Sequence, residues 1–228
     1  MLIGVFITAI ISLLIGYALS RLKGDYFALA SFGFNIIIFS ILLNWQSVTN
    51  GPLGVFGIGR PSIFGISLNE NMYFLVLAAL VAVIVYYFSE FLTKSSFGRI
   101  LKSIREDEEM ISVFGYKTIN YKLTIFVIGS VIASIAGALY ASYISFIDPS
   151  SFSLNESLFI LAIIILGGLA SNKGAVLGAA FMILLPELLR FVGLPSDVAA
   201  QLRQIIYGLI LIVLMMYKPQ GLLGKYRM

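Results

Sequence analysis

Apolar residues in this chain gather into long runs instead of alternating with polar ones. A bilayer core of about 30 Å needs roughly 20 apolar residues at helical rise. By that measure the pattern predicts seven spans, near 2–20, 26–44, 72–92, 123–144, 157–171, 175–190 and 203–217. The fifth and sixth are short and separated only by Asn172, Lys173 and Gly174. Two readings stand for them: a tight helical hairpin that stops short of crossing, or two full but tilted spans. The chain opens on Met1 and runs straight into apolar residues, without the charged start and small-residue cleavage site of a secretory signal. Residues 2–20 are therefore expected to be a retained membrane helix. The expected fold is all-α and polytopic, with 1–228 forming a single transmembrane domain.

Two inter-span segments break the pattern. Residues 45–71 read WQSVTNGPLGVFGIGRPSIFGISLNEN, where glycines with Pro52 and Pro61 forbid a regular helix. Leu53, Val55, Phe56, Ile58, Ile63 and Phe64 are nonetheless too apolar for a solvated loop. Non-helical backbone near a membrane is buried in protein or lines a cavity, which predicts a compact cap or re-entrant element. The alternative is a loop that merely folds back. The second segment, 93–122, reads TKSSFGRILKSIREDEEMISVFGYKTINYK. Glu106, Asp107, Glu108 and Glu109 gather where a helix would start, at the positive end of its dipole. Met110, Ile111 and Phe114 follow as one apolar stripe, and Gly115 suits the left-handed residue that closes a helix. The expectation is a short amphipathic helix over 106–114. Its stripe is left to lie on lipid, pack beneath its own bundle, or enter a groove on another protein.

Composition supports the membrane reading. Hydrophobic residues make up 60% of the chain and charged ones 11%, against about 45–50% and about 25% in ordinary globular proteins. Water is not the solvent for most of this surface. The net charge of +4 then reads as basic residues on cytoplasmic loops, not as nucleic-acid affinity. Loops after odd-numbered spans carry Arg21, Lys23, Lys94, Arg99, Lys102, Arg105, Lys117, Lys122, Lys173, Lys218, Lys225 and Arg227; the opposite side has Arg60, Arg190 and Arg203. That asymmetry predicts an external amino terminus and a cytoplasmic carboxyl terminus. It makes 45–71 an external loop and the 106–114 helix a cytoplasmic one.

The side-chain inventory narrows the chemistry. There is no cysteine and no histidine, so disulfides, thiolate chemistry and the commonest general base and metal ligand are missing. No catalytic or metal-binding residue is expected, and an intramembrane enzyme is remote. No ionisable residue sits at mid-span, which argues against a proton-coupled carrier. No G-x-x-x-x-G-K-[ST] phosphate loop occurs, so any ATP is bound elsewhere. Gly174 and Gly178 form a G-x-x-x-G pair that lets helices approach closely. Gly167 and Gly168 share that packing role or break the fifth helix to expose backbone groups to a solute. Glu187 and Arg190 lie three apart on one helical face, as an ion pair at the external boundary or as part of an external gate. Trp45, Tyr73, Tyr140, Tyr143 and Tyr217 fall near span ends, where interfacial anchoring accounts for them.

Several blocks occur in a fixed order: GDYFALASFGF (24–34), TNGPLGVFGI (49–58), FGRILKSIREDEEMISVFGY (97–116), ILGGLASNKGAVLGA (165–179), LLPELLR (184–190) and KPQGLLG (218–224). This series closely resembles the permeases of branched-chain amino-acid ABC transporters, the LivM-like branch in particular, from Gly24 onward. Glu109 to Gly115 also looks like the E-x-x-x-x-x-G core of the cytoplasmic loop in such importers.

The resemblance implies a pore-forming subunit of a prokaryotic plasma-membrane importer for branched-chain amino acids. It implies a second homologous permease, two cytoplasmic ATP-binding subunits holding ATP and Mg, and an extracytoplasmic solute-binding protein. Residues 106–111, 114 and 115 would contact the ATPase, and Tyr26, Thr49 and Asn50 would line the path or pack helices. Two departures stand out. Family members carry extra helices ahead of the GDYFAL block where this chain has one, so the chain is naturally short or its start lies upstream. Met110 and Ile111 occupy positions where many such permeases have two alanines. A same-superfamily permease for a simple sugar, nucleoside or urea-like amide fits the sequence equally. A stand-alone channel or ion-coupled carrier is the rival of another class, and it leaves the acidic helix without a task.

Overall fold

A computed structural model describes residues 2–22, 24–63, 66–67 and 70–190, with 208, 209, 212, 216, 221 and 223. The side chains of 25, 62, 63, 66, 67 and 185–190 lie outside that description, as does the seventh expected span at 203–217, apart from isolated positions. The described chain is mostly helical and divides into two compact units, Met1–Leu154 and Asn155–Met228.

Among the described residues, four stretches are long and apolar enough to cross a membrane: Tyr26–Asn44, Asn71–Lys94, Thr118–Ile144 and Pro149–Gly167. Two shorter apolar stretches are Ile3–Leu19 and Asn172–Leu184. Large apolar side chains such as Ile3, Phe6, Leu75, Val76 and Tyr87 are exposed along these helices. Faces of that extent need lipid or a protein partner against them. The described chain is that of a multi-pass membrane protein.

In the first unit, α1 (Leu2–Leu19) lies along α7 (Thr118–Ile144). Gly16 permits this: a Cβ there would sit 2.8 Å from Phe126 Cδ1 and 2.9 Å from Leu123 Cδ1. Leu19 is almost completely buried. Next come α2 (Asp25–Asn44), a one-turn helix α3 (Gln46–Thr49), a 3-10 turn over Gly51–Leu53, and β1 (Val55–Phe56). β2 (Ser62–Ile63) and β3 (Ile66–Ser67) form a small antiparallel pair. Then follow α4 (Asn71–Lys94), α5 (Ser96–Glu106), α6 (Glu108–Val113) and α7. Thr118–Lys122 begin α7 five residues ahead of the predicted apolar span at 123, because this polar first turn is helical without being apolar.

The Gly- and Pro-rich segment is tied to the chain after α7. β1 pairs antiparallel with β4 (Phe146–Ile147), setting Val55 opposite Ile147 and Phe56 opposite Phe146. The two phenylalanine rings lie 4.6 Å apart. The N–H groups of Gly57 and Ile58 both donate to the Ser145 carbonyl, at 3.2 and 3.3 Å. Gly54 is required here: its φ is +68°, and a Cβ would stand 2.5 Å from the Ile147 carbonyl oxygen.

The second unit is built on a helical hairpin. α8 (Leu154–Gly167) is followed by α9 (Asn172–Arg190), and a Cβ on Gly167 would fall 2.1 Å from the Gly174 carbonyl oxygen. A Cβ on Gly178 would fall 2.5 Å from that of Ile163. The two backbones are in contact. The turn runs through Gly168 (φ +110°) and Ala170 (φ +61°) to Ser171, whose hydroxyl accepts the Gly174 N–H at 3.1 Å. Asn172, Lys173 and Gly174, expected as the separator, instead form the first turn of α9. Ser171 caps that helix, as Ser does when its oxygen takes an orphan N–H.

Candidate functional site: the segment between α4 and α7

Twenty-three residues, Ser95–Lys117, separate two membrane-long helices. Ser95 ends α4 and starts α5, its hydroxyl donating to the Leu92 carbonyl at 2.7 Å and accepting the Gly98 N–H at 3.2 Å. Gly98 brings α5 against the end of α4, since a Cβ there would meet the Leu92 oxygen at 2.4 Å. The Arg99 guanidinium donates to the Lys94 carbonyl at 3.0 Å and to Ser96 Oγ at 2.8 Å. It thereby satisfies one of the carbonyls a helix end leaves unpaired. Phe97, Ile100, Leu101 and Ile104 lie at i, i+3, i+4 and i+7 on one face, while Arg99, Lys102 and Arg105 are exposed on the other. Ile104 is buried and the Phe97 ring stacks on Tyr121 of α7, 5.5 Å between centroids.

The chain breaks helix at Asp107 (φ −153°, ψ 101°) and restarts. Asp107 Oδ1 accepts the Met110 N–H at 2.9 Å, the ordinary geometry of an N-cap. Glu108 and Glu109 occupy the first turn of α6, where the helix dipole favours negative charge. The helix closes with Gly115 N–H on the Ser112 carbonyl and Tyr116 N–H on the Ile111 carbonyl, at 3.0 and 3.4 Å. Gly115 takes φ +87°, as this closing motif demands.

The sequence predicts one helix over 106–114; the structure has two. Glu106 ends α5, beside Arg105 at 3.2 Å, and does not open the next helix. Along α6 and its C-cap residue the exposed face is Met110, Val113 and Phe114, exposed by 57%, 85% and 71%. Ile111 is half-buried. Val113 was absent from the predicted stripe, although its place three residues after Met110 marks it as a neighbour on that face. Glu108 faces inward instead: its Oε1 lies 2.7 Å from Lys122 Nζ and accepts the Thr118 hydroxyl at 3.0 Å.

The remaining predicted residues fall elsewhere. Tyr26 is exposed on α2. Thr49 Oγ1 lies 2.5 Å from the Leu42 carbonyl and 2.8 Å from that of Trp45, and takes the Gly51 N–H at 3.3 Å. Asn50 is left-handed, with φ +60°. Both residues are engaged in the turn between α2 and β1. Gly167, Gly174 and Gly178 sit where α8 and α9 touch, and Gly168 in the turn between them. Glu187 and Arg190 lie in α9, with their side chains outside the described residues.

A cavity of about 390 Å³ opens between α1, α2, α7 and the 3-10 turn Pro149–Phe152, lined chiefly by Leu19, Phe34, Ile38, Phe126 and Phe152. Ser31 and Asn35 are its polar points. Its signal is the spacing of Ser31, Phe34, Asn35, Ile38 and Leu42, which places two polar side chains on an otherwise apolar face of α2.

Comparison with known proteins gives a consistent picture. Residues 1–215 match the family described as branched-chain amino acid transport system, permease component. The chain is 31% identical to the high-affinity branched-chain amino acid transport system permease protein LivM of Salmonella typhimurium, over 97% of this chain and 56% of the relative. It is 31% identical to LivM of Escherichia coli over 94% and 54% respectively. The probable LivM of Methanocaldococcus jannaschii is 28% identical over 98% of this chain and 69% of its own length. The chain thus spans about half the length of the enterobacterial relatives it matches. No solved structure matches significantly.

Proposed function

Since the chain belongs to the family of branched-chain amino acid transport permease components, we propose that it is a pore-forming subunit of an ATP-driven importer of branched-chain amino acids. The observation that carries this reading is the exposed apolar face of α6. Met110, Val113 and Phe114 stand on a helix capped at both ends, between two membrane-long helices. A surface so exposed and so rigidly presented suits a groove on another protein.

In this reading, two cytoplasmic ATPase subunits grip α6 and supply ATP and Mg, which this chain does not bind. A second, homologous permease completes the pore, and an extracytoplasmic binding protein delivers the solute. Glu106–Ile111, Phe114 and Gly115 form the coupling region. Tyr26, Thr49 and Asn50 belong to the path or its packing, as do the glycines at 167, 168, 174 and 178, while Glu187 and Arg190 form an external ion pair or gate. The full chain acts as one transmembrane domain with seven spans and a cytoplasmic carboxyl terminus in a prokaryotic plasma membrane. The skew of twelve basic residues against three supports that orientation. ATP supplies the differential affinity that shifts the pore between outward-open and inward-open states.

Co-expression with candidate ATPase subunits from the same genome tests the reading. The parent chain should co-purify with them. Phe114→Asp should weaken that association by about 30-fold or more, the effect of a lost interface anchor, with membrane insertion intact. Unchanged association would count against α6 as the contact.

A further inference from the structure

Glu108 occupies a place in α6 that the exposed face does not explain. Its carboxylate turns away from that face and meets the base of α7 at two points, Lys122 Nζ at 2.7 Å and the Thr118 hydroxyl at 3.0 Å. The Glu108 and Lys122 side chains are each only 26% exposed, and Thr118 is buried. A partly desolvated ion pair with a second hydrogen bond is far more directional than a surface pair, because little water competes for either group. α5 is joined to the same place by an aromatic stack, Phe97 on Tyr121 with Tyr116 edge-on at 6.3 Å. α6 is therefore fastened to the first turn of α7, one residue before Leu123.

Beyond this fastening, α7 is stiff and closely engaged. It is a continuous helix of 27 residues. Leu123 and Phe126 lie against the site of Gly16 on α1, within 2.9 Å of where a Cβ would stand. Phe126 also forms part of the wall of the cavity between α1, α2 and α7. Lys122, Leu123 and Phe126 thus link α6, α1 and the cavity wall along one helix.

We propose that Glu108, Thr118 and Lys122 form a clamp that makes α6 and α7 move as one body, converting force on the exposed face of α6 into tilt of α7 against α1. These are positioning residues, acting through α7 on the cavity wall. The inference rests on α6 being the ATPase contact.

The test uses the complete importer, with its ATPases and binding protein, in proteoliposomes. Solute imported per ATP hydrolysed is measured alongside ATPase co-purification. Lys122→Met should leave co-purification unchanged, since Lys122 is on the far side of α6 from the exposed face. It should lower the import-to-hydrolysis ratio by about tenfold, within the usual 5–150-fold range of coupling. Lys122→Glu should be at least as damaging, whereas Lys122→Arg, which keeps a cation on Glu108, should retain most of the ratio. A merely structural role for Lys122 would lower membrane accumulation and ATPase capture along with the ratio. An unchanged ratio in Lys122→Met, loss of the ATPase from that variant, or a Lys122→Arg ratio as low as that of Lys122→Met would each overturn the clamp. A parent chain that captures no ATPase would instead remove the reading on which the clamp rests.

Discussion

At the scale of single residues, the segment between α4 and α7 depends on a few positions with no tolerance. Gly98 stands where any Cβ would press on the backbone oxygens of Leu92 and Thr93, at 2.4 and 2.6 Å. Backbone has no rotamer to yield, so Gly98→Ala should behave as overpacking and cost about 1–3 kcal/mol. A lowered thermal midpoint, together with protease cleavage within 95–106, would register it; a wild-type midpoint would contradict this placement of α5. Asp107→Ala removes the N-cap of α6 and should cost about 1 kcal/mol, whereas Asp107→Asn keeps a capping oxygen and should cost little. Hydrogen exchange at the Met110 amide distinguishes the two.

Asp148 carries the pH dependence that the described residues allow. The Ser151 hydroxyl foremost, then the Ser150 hydroxyl and the Ser151 N–H, hold its carboxyl below the ordinary aspartate value, outweighing the opposing effect of burial. A depressed folded value means the carboxylate's stabilisation is fully present above the unfolded value, about 3.9, and is lost as pH falls through the folded one. Acid should therefore lower the parent's thermal midpoint more than that of Asp148→Asn below about pH 4. Parallel curves for the two proteins would contradict the assignment.

At the scale of elements, legibility in the sequence followed the range of the interactions involved. The helices at Asp25–Asn44, Asn71–Lys94 and Thr118–Ile144 announce themselves because length and apolar composition are local properties. Gly115 was legible for the same reason, since its closing role depends on the six residues before it. α5 was missed, although Ser95 as a cap and Phe97, Ile100, Leu101 and Ile104 at helical spacing were available. The acidic run beside it draws the predicted start to Glu106, and only the cap bond at Asp107 shows that one helix ends there and another begins. The turn between α8 and α9 was displaced because Asn172 and Gly174 look like turn residues, while Ala170 at φ +61° does not. Pairing of β1 with β4 joins segments some ninety positions apart in sequence, and the clamp on Lys122 likewise needs α6 folded back. No local pattern reports either contact.

The α8–α9 hairpin has its own prediction. Gly167 and Gly174 each stand where a Cβ would fall inside the other's backbone, so Gly174→Leu must separate the helices. The protein should accumulate poorly in the membrane, with Gly174→Ala intermediate between it and the parent. Equal accumulation of all three would show that the close approach is dispensable.

At the scale of the whole molecule, the described residues present long apolar helices, wide faces that call for lipid or protein against them, and a short helix, α6, joined by Glu108 to Thr118 and Lys122 of α7. The family relation and this arrangement together favour a conduit driven by a separate motor. The most direct measurement is solute flux in vesicles holding this chain with the second permease proposed above and supplied with the binding protein, with and without the ATPases and nucleotide. Flux of a branched-chain amino acid should appear only when ATPases and ATP are both present. Sustained flux without them would contradict the account.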